Sequence, residues 1–177
     1  SRRSGQPAVL VWGDSHAAAI APAIAELADA VGARALVAYK KVCAPLVGFR
    51  DYGGGDWHCD DFIAEVLGFV EREQVETVVL HARWAWYVEG SRNEDEKARH
   101  LQLAPDGTGP EANGRAFARM LAGTVDRLRQ AGVRVEIVTS VPEVGVSVPE
   151  LVVRHAQHGR PLPTIARAAF ERRQARA

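Results

Sequence analysis

Four short apolar runs, separated by helical patterns, constrain the fold of this chain more than any other feature. Strands of a parallel sheet that is covered on both faces appear as short, nearly continuous apolar runs, and consecutive parallel strands need a crossover, usually a helix, between them. The alternation therefore predicts the α/β class, as a three-layer α/β/α sandwich around a parallel sheet. The predicted strands cover residues 8–12, 34–39, 77–82 and 133–139.

Apolar residues spaced three and four apart predict the helices between these strands. Pro22 falls inside the first helical pattern, so we expect it to kink the first turns or to move the firm start of the helix to about Ala21. Residues 40–58 show no periodicity and predict a long loop, residues 88–110 a surface insertion, and the chain after Pro163 an arginine-rich helix. The apolar stripes are Ile20, Ile24, Leu27 and Val31; Ile63, Val66, Leu67 and Val70; and Phe117, Leu121, Val125 and Leu128.

Length and composition limit the number of domains and the class of partner. The chain has 177 residues, of which 47% are hydrophobic, which suits one domain with its own core. Its 22 Lys and Arg balance its 22 Asp and Glu, so no basic field favours nucleic acid. No apolar run approaches the roughly 20 residues of a membrane-spanning helix. We therefore expect a single domain over residues 1–177.

Ligands of open parallel sheets bind outside the carboxyl ends of the strands, which directs attention to the residues after the first strand. Ser15 follows Gly13 and Asp14 there, at the predicted N-terminus of a helix, where backbone N–H groups and the helix dipole favour negative charge on an oxygen. This setting suits a nucleophilic serine whose attack creates an oxyanion. The alternative is that Ser15 or Asp14 only caps the helix.

The two cysteines, Cys43 and Cys59, bracket a stretch rich in glycine and aromatic residues. Two thiols cannot form a four-ligand zinc site alone, although His58 could add a third ligand. A disulfide and two unrelated buried thiols remain the competing interpretations.

Several stretches, in order, resemble the SGNH (GDSL-like) hydrolase family, in the form fused to acyltransferase-3 membrane proteins. Gly13-Asp14-Ser15-His16-Ala17 is similar to the first block of that family. The later stretches are Cys43-Ala44-Pro45-Leu46, Cys59, residues 78–84 with Tyr87, and Val141-Pro142-Glu143-Val144-Gly145 with Val148-Pro149.

The resemblance implies serine-dependent acyl transfer without a cofactor or a metal. Ser15 would be the nucleophile and would give one backbone oxyanion donor, with Asp14 and His16 supporting the site. Arg83 stands where the family has an asparagine, so its guanidinium could stabilise the oxyanion or contact the substrate. The alternative is a structural ion pair of Arg83 with Asp14 or Glu143. The separate glycine donor of the family has no safe counterpart here.

The family also uses an Asp-x-x-His motif for its base, and none of the six histidines of this chain has an aspartate three positions before it. Since the expected fifth strand is also missing from the pattern, we expect that the chain is C-terminally incomplete. His155 or His158, in a predicted polar loop, is the alternative base, and His81 is either a core histidine or a site residue. A catalytically silent domain that binds a glycan or a partner is the alternative function.

The resemblance further implies an acyl donor and a cell-surface glycan acceptor as substrates, and fusion to or cooperation with a membrane acyltransferase domain. It places the domain outside the cytoplasm, which favours a Cys43–Cys59 disulfide because thiols oxidise there. Trp57 and Trp84, with Trp86, would form an aromatic floor for a sugar acceptor, which suits the flat faces of their rings.

Overall fold

The structure is a computed structural model that describes most of the chain. The described residues are 8–55, 57–90, 101–105, 107, 109–141, 143, 148–159, 161, 164 and 166–175.

The strands form one parallel sheet in the order β2-β1-β3-β4, which confirms the predicted α/β class. Residues of neighbouring strands pair in register, so that Gly13 at the end of β1 lies between Tyr39 of β2 and His81 of β3. The carboxyl ends of these three strands therefore meet at one edge of the sheet. The strands are β1 (Val9–Gly13), β2 (Ala35–Tyr39), β3 (Thr77–His81) and β4 (Arg134–Ile137).

Six helices lie within the described residues, and none of them is long and apolar enough to cross a membrane. The shortest, α3, directly follows the end of β3. The helices are α1 (Ser15–Ala30), α2 (Cys59–Glu73), α3 (Trp84–Glu89), α4 (Pro110–Gln130), α5 (Val148–His158) and α6 (Arg167–Gln174).

The two faces of the sheet are covered unequally. On one face, Val11 and Val79 pack against Ala17 of α1. On the other face, the large core of the protein joins Leu10 and Trp12 to apolar residues of α2, α3 and α4. This arrangement gives the three layers, and it agrees with strands that alternate between two buried sides.

Helix α1 departs from the prediction at both of its ends. It begins at Ser15 rather than near Ala21, and Pro22 lies on an exposed face of the continuing helix. The early start follows from Asp14, whose side chain accepts the N–H of His16 and so caps the helix. At the other end, Leu27 and Val31 are exposed by 66% and 79%, so the predicted apolar stripe covers the sheet only in the N-terminal part of the helix.

Two segments that were predicted as irregular or exposed are ordered differently. Leu101 and Leu103 are buried, because Asn113 of α4 donates to the Leu101 carbonyl and accepts the Leu103 N–H. The surface insertion is therefore wrong for this part of residues 88–110. The polar loop predicted around His155 and His158 is also wrong, since both lie in α5.

The long loop between β2 and α2 is closed by a disulfide between Cys43 and Cys59, which confirms the predicted pairing. Both cysteines are buried, and their Cα atoms are 5.2 Å apart. Among the described residues no cysteine is free. The glycine-rich segment of the loop is thereby fixed to the N-terminus of α2.

Removing this disulfide is expected to lower the free energy of unfolding by about 3 kcal/mol, because the bridge restricts the unfolded chain over a loop of this length. The measurement is urea unfolding of the Cys43→Ala/Cys59→Ala double variant beside the oxidised protein. A reductant should destabilise the native sequence and leave the double variant unchanged. Equal stability of the two proteins, or alkylation of both thiols before reduction, would contradict the prediction.

Candidate active site

Ser15 is the first residue of α1 and is exposed at the carboxyl edge of the sheet. The turn that presents it is tight, because a Cβ at Gly13 would overlap the backbone carbonyl oxygen of His81. Glycine at this position lets β1 approach β3 closely and then turn directly into the helix. The structure thus places the predicted nucleophile at a helix N-terminus, in an accessible position.

Asp14 is buried at the centre of this edge and accepts three hydrogen bonds. Its Oδ1 accepts the N–H of His16 at 2.8 Å. Its Oδ2 accepts the N–H of Arg83 at 3.1 Å and the hydroxyl of Tyr87 at 3.0 Å. The carboxylate therefore ties the turn after β1 to the turn after β3 and to helix α3, and it holds Ser15 in a defined position.

The electrostatics of this cluster favour an ionised Asp14 beside a neutral Tyr87. Burial raises the pKa of Asp14, but the hydrogen bonds from His16 and from the N–H of Arg83 outweigh it, and the net pKa lies below the usual value of 3.8. Burial, followed by the charge of Asp14, raises the pKa of Tyr87 well above 10.0. The tyrosine hydroxyl thus stays protonated and donates a hydrogen bond to the carboxylate.

Two histidines lie next to this cluster. The Nδ1 atom of His16 is 3.4 Å from Asp14 Oδ1, and its side chain is 30% exposed. The ring of His81 is buried, with Nδ1 3.0 Å from the carbonyl oxygen of Val138 and Nε2 without a hydrogen-bond partner among the described residues. The two rings meet edge to face with their centroids 6.2 Å apart. His81 is therefore packed in the core, while His16 reaches solvent.

The side chain of Arg83 forms an ion pair with Glu143, which agrees with the structural alternative given for this arginine. Its Nε lies 2.6 Å from Glu143 Oε1, and Arg173 of α6 approaches the other carboxylate oxygen at 3.1 Å. The carboxylate of Glu143 is only 6% exposed. This ion pair links the turn after β3 to α6, and the oxyanion or substrate contact predicted for Arg83 stays a prediction.

The predicted aromatic floor is wrong for Trp84, which is buried, and stays a prediction for Trp57. Trp84 is 3% exposed, its Nε1 donates to the Val138 carbonyl at 2.8 Å, and its ring packs on Phe117. Trp86 is also buried. Neither ring offers a face to a sugar, because the residues after β3 turn into the core as α3. Trp57, in contrast, is 38% exposed.

Ser15 lacks a histidine partner among the residues that the structure describes. Within the described part of the chain, no side chain hydrogen-bonds Ser15, and His155 and His158 project from exposed positions on α5. No group of three histidine, cysteine, aspartate or glutamate side chains in the same residues is arranged to hold a metal ion.

The contacts of Tyr87 and Arg173 in this site were not predicted from the sequence. Tyr87 stood in a stretch that resembles the family, but its hydroxyl reaches Asp14 across a separation of 73 residues, and no local pattern indicates such a contact. Arg173 lies in the predicted arginine-rich helix, which carries several equivalent residues. The signal that could have found Tyr87 is its polar hydroxyl within the otherwise apolar run of α3.

The fold is a parallel α/β/α sandwich, and its exposed serine directly after the first strand, beside a buried aspartate, lies where ligands of such sheets bind. The family model of the SGNH domain (fused to AT3 domains) matches residues 1–177, and the chain belongs to this family. No curated protein sequence matches the chain significantly.

A solved structure, described as the lipopolysaccharide acetyltransferase periplasmic domain of Salmonella ser. Paratyphi A, is similar to this chain with a TM-score of 0.59 at 16% sequence identity. The similarity covers 98% of this chain and 60% of that one. It shows that the two share a fold, and that this chain spans about three fifths of the length of the solved domain.

Proposed function

We propose that this domain catalyses serine-dependent transfer of an acyl group, commonly acetyl, to a cell-surface glycan, or hydrolysis of such an ester. It would act outside the cytoplasm together with a membrane acyltransferase domain. The observation that carries the proposal is the exposed Ser15 at the N-terminus of α1, positioned by the buried carboxylate of Asp14. Family membership supports it, because the members are described as fused to AT3 domains.

In the proposed reaction, Ser15 Oγ attacks the carbonyl carbon of the acyl donor and loses its proton to a base. The tetrahedral intermediate collapses with loss of the donor alcohol, which takes up a proton, and leaves an acyl ester on Ser15. A sugar hydroxyl then attacks that ester and releases the acylated sugar, whereas attack by water completes hydrolysis. Ser15 regains its proton in either case.

The oxyanion of the intermediate would be stabilised at the helix N-terminus. Asp14 already engages the N–H of His16 with its side chain and the N–H of Ala17 with its carbonyl oxygen. The N–H of Ser15 is therefore the backbone donor best suited to the oxyanion. Arg83 would add its positive charge when substrate competes with Glu143 for its guanidinium.

Neither histidine beside the Asp14 cluster is placed to take the proton of Ser15. His81 is sealed in the core, and His16 lies against Asp14 rather than on Ser15. A serine without a base is weakly nucleophilic at neutral pH, so Ser15 needs a base other than these two histidines for fast acylation.

The compartment is supported by the disulfide, because such bridges persist in oxidising environments and are rare in the cytosol. The solved domain of similar fold is described as periplasmic.

We expect incubation of the full-length protein with an activated acetyl ester to place one acetyl group on Ser15. Ser15→Ala should abolish the adduct and lower turnover by about a thousandfold or more, since it removes the nucleophile. The measurements are intact-mass and peptide mass spectrometry with a steady-state assay. Ser140→Ala is the matched control, because it removes a buried hydroxyl that has no hydrogen-bond partner among the described residues.

A silent binding domain is the second candidate, favoured by the absence of any described hydrogen bond from Ser15 to a base. The same experiment separates the two candidates. If the full-length protein forms no adduct on Ser15, and its activity is unchanged in Ser15→Ala, this domain binds a glycan or a partner and does not catalyse the reaction.

A further inference from the structure

We propose that Trp57 and the glycine-rich loop beneath it form a carbohydrate subsite that binds one pyranose ring of a glycan by stacking. The acceptor role of that glycan rests on the proposed function, whereas sugar binding itself is measurable without turnover. The subsite consists of Trp57, the adjacent loop residues Asp51 to Gly55, and the exposed side chain of Tyr52.

Gly55 creates the space in which the indole of Trp57 is seated. A Cβ at Gly55 would overlap Trp57 Nε1, and it would lie 2.8 Å from Trp57 Cδ1 and 2.5 Å from Asp51 Oδ2. The pyrrole edge of the indole therefore lies directly against the glycine backbone. The glycine backbone therefore limits the orientations that the indole can take on this side.

Asp51 makes the loop itself rigid. Its carboxylate is buried and accepts the backbone N–H groups of Gly53 at 2.9 Å, Gly55 at 3.1 Å and Gln102 at 3.1 Å. The N–H of Tyr52 also donates to the Gln102 carbonyl at 2.7 Å. A segment with three successive glycines would otherwise be among the most mobile of the chain, so these bonds reduce the entropy that binding must overcome.

The chain on either side of Trp57 is fixed as well. Cys59 joins Cys43, and Lys40 Nζ donates to the His58 carbonyl at 2.9 Å. The start of the loop lies beside the serine turn, since the N–H of Lys40 donates to the Gly13 carbonyl at 3.3 Å. The disulfide and these hydrogen bonds thus join the loop that carries the subsite to the turn before Ser15.

A neutral sugar ring fits this surface better than a charged or purely apolar ligand. The C–H groups of a pyranose form an apolar, weakly positive face that complements the negative face of an aromatic ring. The carboxylate of Asp51 is engaged by backbone donors, and the Tyr52 side chain of the same loop is 43% exposed and carries a hydroxyl. An apolar ligand that covered that hydroxyl would remove its hydrogen bond to water without replacing it.

The fluorescence of Trp57 can report whether the proposed subsite is occupied. The chain has four tryptophans, and Trp12, Trp84 and Trp86 are 0%, 3% and 8% exposed. Collisional quenching by acrylamide therefore reads Trp57 almost alone. Stacking of a sugar should protect it from the quencher and change its emission in a saturable way.

The experiment titrates the protein with chitotriose and cellotriose, with sorbitol at equal concentration as a control for a polyol without a ring. Binding is followed by tryptophan quenching and by saturation-transfer NMR. We expect saturable binding of at least one trisaccharide and none of sorbitol. Gly55→Ala should weaken the binding about tenfold or more, because the added methyl displaces the indole without removing it.

Gly123→Ala is the matched control, since a Cβ there meets nothing within 4 Å. Trp57→Leu, followed by NMR, provides a second variant if Gly55→Ala does not fold, and it should also lose the binding. No saturable effect of either trisaccharide, or an affinity equal to that of the native protein in both Gly55→Ala and Trp57→Leu, would overturn the subsite. Acetylation of Ser15 is measured separately, so a failure of the subsite is distinct from a failure of the proposed reaction.

Discussion

Gly13→Ala is expected to lower the free energy of unfolding by about 3 kcal/mol or more, a large share of the 5–15 kcal/mol typical of a domain. Gly13 does not have a positive φ, so the reason is space rather than backbone conformation. A Cβ there would overlap the His81 carbonyl oxygen and lie 3.0 Å from the Ala17 Cβ. Neither neighbour can move easily, because one is backbone of a central strand and the other is fully buried on α1.

Urea unfolding measures this effect, with Gly123→Ala as the control. The same methyl group is added there in the middle of α4, where it meets nothing within 4 Å, and it should stabilise the protein by about 0.5–1 kcal/mol. A Gly13→Ala protein with a midpoint within the error of the native one would show that the turn before Ser15 is not tightly packed.

The sheet and most of its helices could be predicted because their signals are local. Val11, Trp12 and their neighbours form an unbroken apolar run, and β1 indeed lies in the middle of the sheet with buried residues on both faces. The stripe of Ile63, Val66, Leu67 and Val70 on α2 is buried as its spacing indicates. In such elements, the spacing of the apolar residues along the chain follows directly from which side of the helix or strand is buried.

The site could be predicted at Ser15 and Asp14 because both stand at a strand end before a helix. The ion pair of Arg83 with Glu143 spans 60 residues, so the sequence could name it only as one alternative. Trp84 shows most clearly where prediction from the sequence fails. Its flat ring suggested a sugar floor, but the direction of α3 after β3 decides that it is buried, and tertiary packing sets that direction.

Asp14→Asn is expected to lower the free energy of unfolding by about 2–4 kcal/mol at neutral pH. If the amide oxygen replaces Oδ1, the amide NH2 faces both the Arg83 N–H and the Tyr87 hydroxyl, which now donate to Oδ2. If the oxygen replaces Oδ2, the NH2 faces the N–H of His16. In either case at least one of these donors loses its partner. The same change should lower acylation of Ser15, because the turns after β1 and β3 are no longer joined by a charged acceptor.

The cost of this substitution should depend on pH in a defined direction. Because the pKa of Asp14 is lowered in the folded state, the unfolded chain binds the proton more tightly, and the carboxylate contributes its full stability only above the ordinary value of 3.8. That contribution is lost as the pH falls from about 4 through the lower folded pKa. The difference between the native protein and Asp14→Asn should therefore be constant from about pH 5 to pH 8 and shrink below about pH 4.

Asp29→Asn is the control for this measurement, because Asp29 is exposed at the end of the same helix, and its loss should change stability by less than about 0.5 kcal/mol. Urea midpoints of the three proteins at each pH give the comparison. Other carboxylates titrate in the same range, but they are common to the native protein and Asp14→Asn and cancel in the difference. A difference that persists undiminished at pH values well below the usual pKa of aspartate would mean that the charge of Asp14 does not hold the two turns together, and that its shape alone does.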